Sequence, residues 1–204
     1  MTEPGQAGHT LVLASGNKGK LRELSEMLSP LGWKVGRQSD WGVSEAIEDG
    51  LSFIENALIK ARHASKHTGL PALGDDSGLV VDALQGAPGI YSARYAGADA
   101  DDQANNRKLL RELEGVSRSG RTAHFYCAMA LVRFEDDPAP IIATGAWHGV
   151  ITDSPAGVGG FGYDPLFWIP GEGCTSAELP AEKKNRLSHR GRALAQMLEQ
   201  LATF

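Results

Sequence analysis

The segment Ser15-Gly16-Asn17-Lys18-Gly19-Lys20 puts two glycines and two lysines between a short apolar run and a helical pattern. Free N–H groups at a helix N-terminus, glycines that let a ligand close on the main chain, and lysines to neutralise it make an anion site. A P-loop would need glycine at Ala14 and a hydroxyl residue at Leu21, so this segment lacks a hydroxyl ligand for Mg²⁺. The plain alternative is a βα turn with two solvated lysines. A metal must then be held by carboxylates elsewhere. Glu48 and Asp49 precede a second helical pattern, and Gly74-Asp75-Asp76-Ser77-Gly78 reads as an acidic turn beside a strand. Neighbouring strand residues face opposite ways, so only one of Asp75 and Asp76 points into a given site. Mg²⁺ takes one or two protein carboxylates, water and phosphate oxygens completing its octahedron, and Glu48 plus one of the pair suffices. Read singly, the pair is also an Asx-type turn and Glu48 a solvated loop acid.

Asn56 and Lys60, at i and i+4, look toward one phosphate or lie on a solvated helix face. Gly157-Val158-Gly159-Gly160-Phe161-Gly162 formally matches G-x-G-x-x-G. Its context excludes a dinucleotide fold, because Asp153-Ser154-Pro155 precedes it rather than a strand end and Tyr163-Asp164-Pro165 follows it rather than a helix. As a flexible loop it offers Phe161 and Tyr163 as faces for a flat base and Asp164 as a polar acceptor, or else the aromatics fill a core. Lys183, Lys184, Arg186, Ser188, His189 and Arg190 gather cations and an imidazole before the last helical pattern. Alone such a face is solvated surface, but a triphosphate needs several such donors, and His189 and Arg190 can donate to base oxygens. No Ser-His-Asp triad, cysteine nucleophile or H-E-x-x-H motif presents itself.

The elements that must position these groups follow from periodicity. Residues 10–14 read as a buried strand, and Leu21, Leu24 and Leu28 recur at helical spacing until Pro30. Ser52 and Glu55 form a capping box for a helix that ends at Thr68-Gly69. Residues 79–81 are a short strand and 101–114 a helix. Strands at 122–134 and 141–151 flank Glu135-Asp136-Asp137-Pro138, a hairpin with an acidic, solvated tip. A final helix spans 191–201, carrying Leu194, Met197, Leu198 and Leu201. This alternation is α/β with a mixed sheet, without internal repeats or a linker that divides it.

Composition narrows the function classes. The 204 residues are 42% hydrophobic and 22% charged, ordinary globular values that argue against disorder and coiled coil. Lys and Arg number 20 against 25 Asp and Glu, a net charge of −5 with no long basic run, so neither a nucleic-acid polymer nor a membrane is an expected partner. Two cysteines are too few for a disulfide framework and fit a reducing cytosol. The polar stretch 1–9 and the short apolar run after it read as neither signal peptide nor membrane span.

Six spaced blocks carry a resemblance. They are Ser15-Gly16-Asn17-x-x-Lys20, Phe53-Ile54-Glu55-Asn56-Ala57 with Lys60-Ala61, Asp75-Asp76-Ser77-Gly78-Leu79, Gly86-Ala87-Pro88-Gly89 with Ser92-Ala93-Arg94, Phe161-Gly162-Tyr163-Asp164-Pro165, and Ser188-His189-Arg190-Gly191. In this order, over nearly the whole chain, they resemble the inosine triphosphate pyrophosphatase family, the dITP/XTP pyrophosphatases. The resemblance implies an elongated mixed sheet with flanking helices, two lobes around a nucleotide cleft, built from residues 10–204 behind the tail 1–9. It implies Mg²⁺-dependent hydrolysis of ITP, dITP and XTP to the monophosphate and pyrophosphate, in a cytoplasmic homodimer. Ser15, Gly16, Asn17, Lys18, Gly19 and Lys20 would grip the phosphates, Glu48 and Asp76 would hold Mg²⁺, and Asp76 would be the proton acceptor. Ser77, Phe161, Gly162, Tyr163, Asp164, Lys184, His189 and Arg190 would contact substrate, Lys184 being chosen over Lys183 by counting back five from His189. Two rival readings keep parts of this. A pyrophosphatase of modified pyrimidine triphosphates would differ around Phe161 and His189, and a nucleotide-sensing module would bind without turnover.

Overall fold

The computed structural model describes residues 10–201, so the tail 1–9 lies outside the described residues. The elements are β1 (Thr10–Leu13), α1 (Lys18–Leu28), β2 (Lys34–Arg37), α2 (Phe53–Thr68), β3 (Ala72–Val81), α3 (Asp102–Glu112), β4 (Thr122–Val132), β5 (Ile141–Ile151), β6 (Phe167–Ile169), β7 (Cys174–Thr175), α4 (Ala181–Leu187) and α5 (His189–Leu201). The strands form one mixed sheet in the order β2-β1-β3-β4-β5-β6-β7. β1 runs parallel to β2 and β3, and every later pairing is antiparallel.

Local chemistry starts α1 and bounds α2 at both ends where the sequence signals them. Asn17 caps α1, its Oδ1 accepting from Gly19 N at 2.8 Å and Lys20 N at 3.1 Å. Ser52 caps α2 by accepting from Glu55 N, Glu55 answers by accepting from Leu51 N, and Gly69 closes the helix at φ +67°.

Alternation along β1 then sends the two helices to opposite faces. Leu11 and Leu13 pack with Leu24 and Leu28 of α1 and with Ala193, Leu194 and Met197 of α5. Val12 packs with Ala57, Ala61 and Ala64 of α2. At the other end of the sheet Leu109 of α3 and Leu113 just beyond its C-terminal end join Leu79, Phe125, Trp147, Leu166 and Phe167 in a separate core. β1 therefore lies between β2 and β3 with its crossover helices diverging, and a crevice opens beyond its C-terminal end, the usual ligand position in an open α/β sheet.

The structure corrects several expectations. The acidic turn at 74–78 is the middle of the ten-residue strand β3, paired in register with β4 throughout. Gly74 sits there because α2 crosses so closely that a Cβ would lie 2.0 Å from Ala57 O. The hairpin tip is not all solvated: Asp137 is buried, accepting from Arg133 N and Ala139 N and from the Arg133 guanidinium, a fold-back that ends β4 at Val132. The last helix begins at His189 rather than Gly191, and α4 precedes it. Gly191 lies inside because a Cβ there would strike Asn185 O of α4 at 1.8 Å.

Candidate active site

A cleft of about 380 Å³ occupies the crevice beyond β1. Ser15, Asn17 and Lys20 line it from the loop after β1; Gly16, Lys18 and Gly19 of that loop do not. Lys18 is exposed, whereas Gly19 makes room for an aromatic ring, since a Cβ there would meet Phe161 at 2.7 Å. The helix N–H groups expected to await an anion are in part used, because Asn17 caps two of them and Gly16 N donates to Glu45 Oε1 at 3.1 Å.

Asp75 and Asp76 part across β3. Asp75 faces α1 and α5, its Oδ1 lying 2.7 Å from Lys20 Nζ and its Oδ2 2.8 Å from Arg190 Nε. Arg190 also pairs with Glu23 of α1 and donates from Nη2 to Ser77 Oγ at 2.9 Å. Glu23 reaches on to Lys184 Nζ at 2.9 Å, and Lys184 reaches Asp164 at 2.8 Å. A buried chain of alternating charge thus runs Lys20, Asp75, Arg190, Glu23, Lys184, Asp164. Burial pushes the Asp75 carboxyl up, but the Arg190 and Lys20 charges overcome it and hold the group well below the usual carboxylate range. Such a chain is costly to break, because removing one member strands a buried charge.

Asp76 faces α2, where its Oδ1 meets Lys60 Nζ at 2.7 Å and Glu48 lies 3.3 Å from the same nitrogen. Its Oδ2 is buried without a hydrogen-bond partner. Burial, ahead of the opposing pull of Lys60 and Lys20, raises its pKa above the ordinary aspartate value. Asn56 is directed elsewhere, its Oδ1 accepting from Gly50 N at 3.0 Å to fix the end of the loop that carries Glu48. Of the two readings open for Asn56 and Lys60, neither holds as stated: both side chains are buried, and Lys60 is an ion-pair partner of the carboxylates.

The residues 161–164 and 184–190 meet at the other side of the cleft. Phe161, Gly162, Tyr163, Asp164, Lys184, His189 and Arg190 all line it, while Lys183 is drawn off to Glu172. Lys184 Nζ and the Arg190 guanidinium lie 5.2 and 5.8 Å from the Phe161 ring centre. Asp164 is engaged with Lys184, Ser176 Oγ and Phe161 N, so it shapes the loop. His189 stacks on Phe125 with ring centres 4.9 Å apart. Burial, and then the Arg190 charge, press its pKa well below that of a free imidazole, so it is neutral, and its Nδ1 has no partner.

Glu23 and Phe125 are the members of this arrangement that sequence patterns missed, whereas Asp75 and Lys60 were named without their ion-pair partners. Of the two, Glu23 left a signal, one helical turn from Lys20 on α1. Among the described residues no cluster of three or more His, Cys, Asp or Glu gathers to hold a metal.

Residues 11–200 match the model of the Ham1 family. A dITP/XTP pyrophosphatase of Shigella flexneri is 57% identical over 94% of this chain and 97% of its own length, and one of Thioalkalivibrio sulfidiphilus is 59% identical over the same shares. The structure of a HAM1 protein from Coxiella burnetii superposes with a TM-score of 0.88 at 48% identity, covering 96% of this chain and all of that one. These relatives bear out the resemblance carried by the six sequence blocks and the mixed α/β sheet expected from it. The chain belongs to the Ham1 family.

Proposed function

We propose that this chain hydrolyses ITP, dITP and XTP at the α-phosphorus, releasing the monophosphate and pyrophosphate. The single observation that carries the reading is the buried, unpartnered Oδ2 of Asp76, facing the same cleft as Lys20 and His189. Asp76, Glu48 and Lys60 leave one negative charge uncompensated beside an unpartnered oxygen, a donor set that fits a hard divalent cation. Asp76 and Glu48 would hold Mg²⁺, which when bound supplies positive charge to the phosphate oxygens. Lys20 and the N–H groups of the loop would orient the triphosphate, and Lys20 and Lys184 would meet charge that gathers in the transition state. Asp76 would orient a water or take its proton, and since a bound cation lowers a carboxylate's basicity, orienting the water is the larger part of that role.

Base choice follows from donors. Hypoxanthine and xanthine present an oxygen at C6 where adenine presents an amino group. A neutral His189 with one ring N–H, together with Arg190, satisfies the oxygen and opposes the amino group, a mismatch that can discriminate by about 10⁴. Phe161 would supply a face for the base.

The deciding experiment is pyrophosphate release from ITP, XTP, GTP, ATP and dTTP at equal concentration, with Mg²⁺ and with chelator. ITP and XTP turned over far faster than the rest, and only with Mg²⁺, is the expected result. Preference for dTTP would overturn the base assignments, and no turnover at all would leave a binding module.

A homodimer belongs to the same proposal. An apolar groove along Val80, Pro88, His124 and Tyr126, beside exposed Leu51 and Tyr91, supports it. Light scattering after size exclusion would test it. Among the described residues no helix is long and apolar enough to cross a membrane.

A further inference from the structure

The loop that carries Phe161 has little structure of its own. Gly157, Gly160 and Gly162 all stand at positive φ, Gly162 at +63°, and Val158 is fully exposed. Such a backbone has many alternatives, so the position of Phe161 depends on ties from outside. Asp164 supplies one through Phe161 N at 2.8 Å. Both polar groups of the next peptide position go to α3: Gly162 N donates to Asp102 Oδ2 at 2.7 Å, and Gly162 O accepts from Asn106 Nδ2 at 3.0 Å.

The same helix grips the facing wall. Asn105, buried one residue away, accepts from Ala96 N at 2.8 Å and donates to Ala93 O at 3.1 Å, and Ser92 and Ala93 line the cleft, Ser92 O also accepting from the Tyr163 hydroxyl of the aromatic loop at 2.8 Å. Asp101 caps α3 by accepting from Ala104 N, and Leu109 and Leu113 root the helix and its C-terminal end in the distal core. One rigid element therefore holds both walls of the slot.

We propose that Asp102 and Asn106 are positioning residues for base recognition: by clamping Gly162 they hold Phe161 at a fixed distance from the Ser92-Ala93 wall, and so set the slot into which a purine fits. The inference rests on the reading that the base lies against Phe161. Neither residue belongs to the phosphate or metal groups, so the consequence of losing the clamp falls on substrate binding and base preference rather than on the chemical step.

The test is steady-state kinetics with ITP and ATP on Asp102→Ala, Asp102→Asn, Asn106→Ala, Phe161→Ala and the double variant Asp102→Ala/Phe161→Ala, each checked for an unchanged melting profile. Asp102→Ala and Asn106→Ala should raise KM for ITP about tenfold, the loss expected for a hydrogen bond to a charged or buried group, and lower the ITP over ATP ratio, with kcat little changed. Asp102→Asn should restore both, since it still offers a carbonyl oxygen to Gly162 N. The double variant should be no worse than Phe161→Ala alone, because one acts through the other. Unchanged KM and ratio in folded Asp102→Ala and Asn106→Ala, or additive effects in the double variant, would overturn the clamp while Phe161→Ala still shifts both quantities. If Phe161→Ala shifts neither, the placement of the base fails, and the clamp fails with it.

Discussion

Asp75 and Asp76, adjacent on β3, carry their carboxylates to opposite faces of the sheet, the first 2.7 Å from Lys20 Nζ and the second 2.7 Å from Lys60 Nζ. Two acids of identical chemistry thereby receive opposite electrostatic fates. The first is fully enclosed between two cations and held ionised, and the second, which lines the cleft, keeps a buried oxygen without a partner and a raised pKa.

The two positions should separate function from stability. Asp76→Asn should lower turnover by about 10³ or more, in the upper part of the range for a lost proton acceptor, while ITP binding stays measurable by calorimetry. Near-normal turnover would contradict the assignment. Asp75→Asn should instead cost about 3 to 5 kcal/mol of stability, read from the urea midpoint, because it strands Lys20 and Arg190 in a buried setting.

In the function proposed above His189 reads the base and does not hold phosphate. Its ring is neutral, stacked on Phe125 and without a partner at the buried Nδ1. His189→Ala should therefore erode the ITP over ATP preference more than it weakens triphosphate binding. An unchanged preference, measured as the ratio of kcat/KM values, would reject that role.

The same imidazole ties stability to pH. In the unfolded chain it takes a proton near pH 6.5, whereas in the folded chain burial and Arg190 resist protonation to well below that. Above pH 6.5 both states are neutral and nothing changes. As pH falls below 6.5 the unfolded state binds the extra proton, and stability drops by up to about 1.4 kcal/mol per pH unit from this one group. His124, also held low by burial and by His148, contributes alike with or without His189. The urea midpoint of His189→Gln should consequently fall less steeply between pH 7.5 and 5.5 than that of the parent chain. Parallel slopes would mean that the folded imidazole is protonated.

What could be read without coordinates was what neighbouring residues decide among themselves. The ends of α2 follow from Ser52, Glu55 and Gly69, and β5 spans the residues that alternation predicts, because caps and alternation act within a few positions. β3 was misread because Gly74, Asp75, Asp76, Ser77 and Gly78 are all turn formers. What makes them a strand is distant: α2 presses on Gly74, Gly89 O would lie 2.4 Å from a Cβ on Gly78, and Arg190 comes from the far end of the chain to neutralise Asp75. The strands β2, β6 and β7, of four, three and two residues, are too short for a periodic signal. The candidate site was legible as residue types, in six blocks and at Glu48 and Lys184 outside them. The pairing of Glu23 with Lys184 and Arg190 was not, since it joins α1 to helices more than 160 residues later.

Gly145 offers a test of how the fold positions the site from beneath. It lies on β5 opposite Cys127, under the first turn of α5, where an added Cβ would stand 2.1 Å from His189 O and 2.7 Å from Ala193 N. Its backbone is not in the left-handed region, so alanine is excluded by the helix above it and not by strand geometry. Gly145→Ala should lift the start of α5, with a stability loss of about 1 to 3 kcal/mol from overpacking. His189 and Arg190 are the first two residues of that helix, so the lift should also stretch the 2.8 Å contact of Arg190 with Asp75 and move the imidazole relative to the base slot. The variant should then lose ITP over ATP preference although no residue facing the cleft has changed. A Gly145→Ala protein that melts lower but keeps its preference would show that α5 is free to shift without carrying base recognition with it.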